Sequence, residues 1–441
     1  MAHNRIRLSL VEYGTPVDLS HQIAASVGVD RAKANSLLTD AGVRAASSLG
    51  LNYNPISVDG KGARAIDFAG LIRLAPSVEL EVAPKFLGLD EADSAWREDF
   101  FFLSTLSRHG RLLATERLSA AGGSPRDLST LVARSITSMY DSRKRRPLRS
   151  YRRVQEADFF IDGDPDPVDL IFPSPDGFEQ ELTRFDRRNG WNSDIVAAAR
   201  ELLPEVSDPS VVSALVRLIE DLSPQNTPSN RRKSIPARHR AWKPLHELSV
   251  DVLGGLGISY KQGNAHGPGY LVSTWRVWED LLTLAMRMGF GHSAVKSQKG
   301  FQLGIKTKIS SGKVSNLSVY PDCVLVGDDS RPTMLLDAKY KGHIERGQIR
   351  IAEADVYEAL AFSRSTGCNL VVLAYPAQAN LPPRPLGKCV VFEKILVDQV
   401  KILGIEIESR FISKKGALSE FSANLATDIM QILDFPIRNN V

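Results

Sequence analysis

Asp322, Asp337 and Lys339 have the residue types and spacing that hydrolytic chemistry uses. The stretch YPDCVLVGDDSRPTMLLDAKYK (320–341) reads as two apolar strands, residues 317–326 and 333–340. They are joined by a loop of turn formers: Gly327, Asp328, Asp329, Ser330 and Pro332. With 327–332 as the loop, Val326 faces Thr333 and Asp322 falls opposite Asp337. Opposed Cβ atoms in a hairpin lie about 5 Å apart, so like charges there repel. Two carboxylates in apolar surroundings are costly unless a cation sits between them. Period-two alternation puts Lys339 on the Asp337 face. Two carboxylates able to hold a divalent metal, with an ammonium to steer a water, make a hydrolytic constellation.

Other elements must position that hairpin. Residues 274–288 predict a helix with an apolar stripe of Trp275, Trp278, Leu282 and Met286. Glu279 falls on the edge of the stripe and needs a partner there: a metal shared with the hairpin, or Arg276 or Arg287. Beyond the hairpin, residues 351–363 predict a helix bearing Asp355, Tyr357 and Glu358, and NLVVLAY (369–375) a buried strand. Residues 390–393 and 400–408 continue the β pattern, and 417–433 predict an amphipathic helix.

Upstream the chain changes character. Residues 1–90 predict a small mixed α+β domain: a strand at 5–12, helices near 19–26 and 30–47 with Asp30 as N-cap, and a strand pair at 66–74 and 78–82. No His cluster or Gly-rich phosphate loop occurs there, so docking fits that region better than chemistry. Residues 91–260 read as mostly helical, with helices at 93–108, 128–140, 193–203 and 209–222. They also hold two basic clusters. One comprises Arg143, Lys144, Arg145, Arg146, Arg149, Arg152 and Arg153 around Tyr151; the other comprises Arg231, Arg232, Lys233, Arg238, His239 and Arg240 beside Trp242. Either could neutralise phosphates, and either could be an ordinary solvated face.

Composition sets the outer bounds. The 441 residues predict two or three domains, and 43% hydrophobic with 24% charged residues is ordinary for a globular protein. Fifty-five Lys and Arg against 51 Asp and Glu leave a formal +4, too mild to require a polyanion. Cys323, Cys368 and Cys389 form no CxxC pair and read as buried thiols of a reducing compartment. The opening MAHNRIRLSLVEYG has no apolar signal core, and no run is long enough to span a membrane. A cytoplasmic location, with no membrane partner, is expected. There is no GxxxxGK[ST] phosphate loop, so any nucleotide hydrolysis belongs to a partner.

The PD…DAK pattern resembles the PD-(D/E)XK nuclease superfamily. The wider order, WRVWED, PD, DAKYK, D-x-Y on a helix and a strand ending in YP, resembles the McrC family, nuclease subunits of the McrBC modified-cytosine restriction system. VEYG, LEVAPKF (80–86), LRSYRRVQE (148–156) and PLHELSVDVLGG (244–255) carry the resemblance upstream. It implies a multi-domain α/β chain: an N-terminal docking domain (1–110), a helical middle region with the basic clusters (111–255), and a restriction-endonuclease-like α/β domain (256–441). It also implies an Mg2+-dependent DNA endonuclease, with Mn2+ as a substitute metal, that acts on double-stranded DNA. The partner implied is a McrB-like AAA+ GTPase ring on which the chain docks and whose hydrolysis it stimulates. By motif, Glu279, Asp322 and Asp337 are the metal-binding carboxylates, and Lys339 completes the catalytic set. The chain departs from the family in having Glu358 where Gln is usual and Phe362 where Tyr is usual. The alternatives are a repair or recombination nuclease of the same superfamily working without a GTPase ring, and a non-catalytic adaptor of an AAA+ ring.

Overall fold

The computed structural model describes residues 6–75, 77–87, 96–100, 102–103, 128–172, 175–206, 208–222, 234–253, 270–341, 343–345, 348–379 and 381–434. It divides into two compact units, residues 127–270 and residues 4–126 together with 271–441. The N-terminal region and the C-terminal α/β region, expected as separate domains at 1–110 and 256–441, thus belong to one unit. The reason is that they share a sheet and a set of buried polar groups.

The N-terminal part holds strand β1 (Ile6–Val11), helices α1 (Ser20–Val27) and α2 (Arg31–Leu49), and strands β2 (Ile56–Asp59), β3 (Gly62–Ala65), β4 (Ala69–Ala75) and β5 (Val78–Ala83). Asp30 caps α2, its side chain accepting from the Lys33 N–H at 2.7 Å. β1 runs parallel to β5, and β4 antiparallel to it. β5 is buried on both faces. Its carboxylates are therefore paired: Glu79 with Arg73 at 2.6 Å, and Glu81 with Arg97 at 2.7 Å.

Residues 127–270 hold α3 (Leu128–Arg143), strands β6 (Ser150–Asp158), β7 (Asp164–Pro165) and β8 (Phe178–Asp186), and helices α4 (Gly190–Leu202), α5 (Pro209–Leu222) and α6 (Lys243–Leu253). The expectation of a mostly helical region needs correction, because β6, β8 and β7 form a three-stranded sheet. Half-buried Ser150, Arg152, Val154 and Glu156 alternate with exposed Tyr151, Arg153 and Gln155, a strand period that the density of arginines obscured. Within the helical part, buried His246 Nε2 meets buried Asp194 at 3.0 Å.

In the C-terminal part, β9 (Tyr270–Val272) completes the N-terminal sheet in the order β1-β5-β4-β9. Helix α7 (Thr274–Phe290) follows, then β10 (Val295–Ser297), β11 (Phe301–Lys308), β12 (Lys313–Val319), β13 (Cys323–Val326) and β14 (Pro332–Ala338). β15 (His343–Glu345), β16 (Gln348–Arg350), α8 (Glu353–Thr366), β17 (Leu370–Pro376), β18 (Cys389–Val397), β19 (Val400–Ile407) and α9 (Ala417–Asp434) complete it. A six-stranded sheet runs β10-β13-β14-β17-β19-β18, with β14, β17 and β19 parallel. β14, α8 and β17 make a βαβ unit whose helix buries Ala359 and Phe362 against Leu335, Val371 and Leu373. The strand expected at 317–326 is two strands. β12 pairs with β11 outside the main sheet and β13 pairs with β14 inside it, the chain breaking at Pro321, which has no N–H to give a ladder. Cys323 and Cys368 are buried free thiols, and Cys389 is half-buried. Among the described residues no helix is long and apolar enough to cross a membrane.

Candidate active site

The β13–β14 register pairs Cys323 with Leu336, so Asp322, one step before β13, stands opposite Asp337 as the spacing requires. Asp337 lies inside β14 with its side chain only 6% exposed. Asp322 is fixed by the backbone N–H of Ala338, which donates to Oδ2 at 2.8 Å. Glu279 reaches the pair from α7. The helix buries Val277, Trp278, Leu281, Leu282, Ala285 and Met286, and Trp278 Nε1 donates to the Ala374 carbonyl of β17 at 2.9 Å. Trp275, placed on the apolar stripe by its spacing, is 40% exposed, with the Arg276 guanidinium 5.0 Å from its ring centre. The buried face is rotated from the expected one because Val277 and Leu281 share it.

A residue with no signal in the sequence ties the carboxylates together. Gln298, just past β10, donates through Nε2 to Glu279 at 2.5 Å and to Asp322 at 3.0 Å. Its backbone sits at φ 50°, a left-handed conformation that costs a non-glycine residue roughly 1 kcal/mol. Only the tertiary placement of β10 beside β13 reveals it. Of the partners that the spacing offered Glu279, Arg287 instead hydrogen-bonds Ser297.

Electrostatics set the protonation of the cluster. Burial, reinforced by Asp280, raises the Glu279 pKa. Burial and then the charge of Glu279 push Asp322 up to about 6. Burial pushes Asp337 up to about 7, with Lys339 opposing and Asp322 reinforcing. Lys339 Nζ contacts Asp337 at 2.6 Å, Glu358 at 2.6 Å and Asp355 at 3.6 Å. Burial alone would lower its pKa, but the charge and hydrogen bonds of Asp337 and Glu358 outweigh burial and raise it. It is a fixed cation and not a titrating base. Asp355 is held in turn by the Tyr375 hydroxyl at 3.1 Å. Glu358, where the resemblance implies Gln, is thus one of the partners of Lys339.

Among the described residues, no three His, Cys, Asp or Glu stand in metal-ligand geometry. The donor chemistry nevertheless suits a hard divalent cation: desolvated carboxylates raise one another's pKa and share one amide for relief.

A second buried network braces the Lys339 strand. Glu12, fully buried at the end of β1, accepts from Thr274 Oγ1 at 2.6 Å and from the Tyr340 hydroxyl. Burial pushes Glu12 up to about 7 and Lys85 down to about 8, and Lys85 Nζ donates to the Tyr340 carbonyl. Tyr340 packs edge-on against Phe86, the ring centroids 5.9 Å apart. Asp67 accepts from Tyr13, Tyr53 and Lys341, the last at 3.0 Å. VEYG, APKF and DAKYK, far apart in sequence, therefore meet in one cluster.

The basic residues expected to meet nucleic acid are more self-satisfied. Lys144 pairs with Asp141 at 2.9 Å, Arg152 with Asp186 at 3.5 Å and Arg153 with Glu181 at 3.1 Å. Arg143 donates to the carbonyls of Met139 and Ala241. Arg145 and Arg146 are exposed. Arg231, Arg232 and Lys233 lie outside the described residues.

Comparison with known proteins gives two findings. The family of McrBC 5-methylcytosine restriction system components matches residues 63–376. The fold is similar to a chain of the refined half-complex from a tetradecameric assembly of Thermococcus gammatolerans McrB AAA+ hexamers with bound McrC. The TM-score is 0.66 at 15% identity, covering 96% of this chain and 100% of that one. A chain of the cryo-EM structure of the T. gammatolerans McrBC complex is similar at TM-score 0.47 and 15% identity, covering 65% of this chain and 88% of that one. No curated protein sequence matches.

Proposed function

This chain belongs to the family of McrBC 5-methylcytosine restriction system components, and from that premise we propose that it is the McrC-like subunit that cleaves DNA. Its PD-(D/E)XK-type active site hydrolyses phosphodiesters with Mg2+, and the subunit docks on a McrB-like AAA+ ring and stimulates its GTP hydrolysis. The observation that carries this function is the gathering of Glu279, Asp322, Asp337 and Lys339 at one end of a buried βαβ unit. The partner is argued from the structural relative, a chain of an assembly containing McrB hexamers and McrC.

Glu279, Asp322 and Asp337 would hold Mg2+, whose chemistry at this point is to polarise the scissile phosphate and to acidify a bound water. The remaining work falls to the chain. Lys339, kept charged by Asp337 and Glu358, offsets negative charge developing on the phosphoryl oxygens. Gln298 holds Glu279 and Asp322 on a common centre, and Ala338 N–H fixes the rotamer of Asp322. The Glu12–Tyr340–Lys85 cluster holds the backbone that follows Lys339.

The test is cleavage of a cytosine-modified duplex by the full chain with its AAA+ partner, Mg2+ and GTP. Cleavage that needs all of these, and that falls at least a hundredfold in Asp337→Ala, is the expected result. Cleavage unchanged without the partner would favour a nuclease that works without a ring. No cleavage, with partner hydrolysis still stimulated, would favour an adaptor.

A further inference from the structure

Gln298 and Asp322 are the two feet of an antiparallel ribbon, β11 and β12, which leaves the main sheet beside the carboxylate cluster. Its root is packed: Phe301 and Val319 lie against the core of the sheet and α8, and the Tyr320 ring covers Gly300 so closely that an added Cβ would meet it at 2.7 Å. Beyond the root both faces are wet. Ile305 is 67% exposed, Val314 62% and the turn residue Ile309 93%. A two-stranded ribbon with no face to bury has little stability of its own, so packing does not explain its length.

Its charge is one-sided. Between Asp280 and Asp322 there is no carboxylate, while Lys296, Lys299, Lys306, Lys308 and Lys313 all fall there. The register pairs Lys308 with Lys313 and Lys306 with Ser315. Alternation therefore sets Lys306, Lys308 and Lys313 on one face, with two ammoniums directly opposed. All three are exposed, and none makes an ion pair among the described residues. Directly opposed like charges without a counterion repel, and a polyanion lying along that face relieves the repulsion. Eight residues of β11 reach about 25 Å from the root. A ribbon of this kind fits the major groove of a duplex, which is about 12 Å wide.

We propose that the β11–β12 ribbon is a DNA-gripping arm: Lys306, Lys308 and Lys313 bind the phosphates of a duplex whose scissile bond lies over the carboxylates at the ribbon's feet. The proposal rests on the nuclease reading and adds to it the surface that holds the substrate. The ribbon reads the backbone and not the bases, since lysines on an exposed face carry charge without a bidentate pattern. The arginines of β6, by contrast, are paired with Asp186 and Glu181.

The experiment measures binding of a fluorescent duplex to the full chain in EDTA, across a salt series. The three are replaced together (Lys306→Ala, Lys308→Ala, Lys313→Ala), and a control variant replaces the exposed Lys33, Lys61 and Lys414 by Ala. These lysines are solvent-exposed, so an unchanged melting profile is expected, and a Gln triple at 306, 308 and 313 repeats the test if the Ala triple melts early. The ribbon variant should bind at least tenfold more weakly near 0.15 M salt. Its log–log salt slope should fall by about 2–3, at about 0.9 for each phosphate no longer neutralised. Its cleavage defect should sit in KM rather than in kcat. Wild-type binding that the ribbon variant retains, or that the control variant loses equally, overturns the arm and leaves the nuclease reading standing. A wild type that neither binds nor cleaves any duplex overturns both.

Discussion

Asp337→Asn is the most informative single perturbation, because the burial of Asp337 converts directly into a pH dependence of stability. An acid raised from 3.8 to about 7 keeps a proton in the folded state that the unfolded chain has already lost. Its contribution is thus fully present at low pH and is lost as pH rises through the folded value, the reverse of an ordinary salt-bridged carboxylate. Between pH 6 and pH 8 the unfolded group is ionised throughout while the folded one titrates, which removes about 1.4 kcal/mol. For a unit of this size that corresponds to a fall of about 2–4 °C in Tm. Asp322, pushed up to about 6, adds a smaller loss of the same sign near the lower end of the window. Asp337→Asn removes one titrating group and one of the charges facing Asp322, so its Tm should fall from pH 6 to 8 by about half as much as that of the wild type, the rest of the fall belonging to Glu12, which burial also pushes up to about 7. The assay is a melting profile in EDTA at half-unit pH steps for wild type and variant. Mg2+ at about a hundredfold excess over its Kd should then stabilise the wild type by ~2.7 kcal/mol. That gain should be larger at pH 8, where no proton has to be displaced, and smaller in the variant. Parallel wild-type and variant profiles would show that Asp337 is ionised throughout. They would refute the picture of desolvated, mutually repelling carboxylates.

Lys339→Ala should reduce cleavage at least a hundredfold, and residual activity above about a tenth of wild type in a cleavage assay would remove it from the active site. Gln298→Ala should cut cleavage by about 10–100-fold and weaken the Mg2+ thermal shift, since it orients two carboxylates without touching substrate. Tyr340→Phe leaves Glu12 one donor short and should cost about 1–3 kcal/mol; a double-mutant cycle with Glu12→Gln, read by melting, should give a coupling above about 0.5 kcal/mol. A fragment of residues 1–126 lacks β9, Thr274 and Tyr340 and should not give a stable N-terminal sheet; a sharp, cooperative melt of that fragment would count against the single-unit reading.

Much of the chemistry was legible in the residues alone because it is local. Counting back from the turn formers gives the opposition of Asp322 and Asp337, and that opposition survives a register shift at the loop end, where Val326 pairs with Pro332 and not with Thr333 as expected. The period of α7 put Glu279 at the rim of a buried face, and Asp30 announced the start of α2. What the sequence could not decide were the choices made by partners far away in the chain. Pro321 does not say that the strand before it leaves the sheet, so the β11–β12 ribbon was hidden inside a longer expected strand. The stripe on α7 does not say which neighbour it packs on, and Trp275 therefore turned out exposed. Gln298 is an ordinary polar residue until β10 lies beside β13 and its strained backbone aims one amide at two carboxylates. The motifs around Glu12 and Lys85 looked like part of a separate docking domain because residues 1–90 carry no catalytic spacing of their own. Only the folded chain shows that Glu12 is buried against Thr274 and Tyr340, where it cannot go unpaired without a cost of several kcal/mol. Short-range spacing determined which groups could do chemistry here; burial, which depends on the whole chain, decided what holds them and how they are charged.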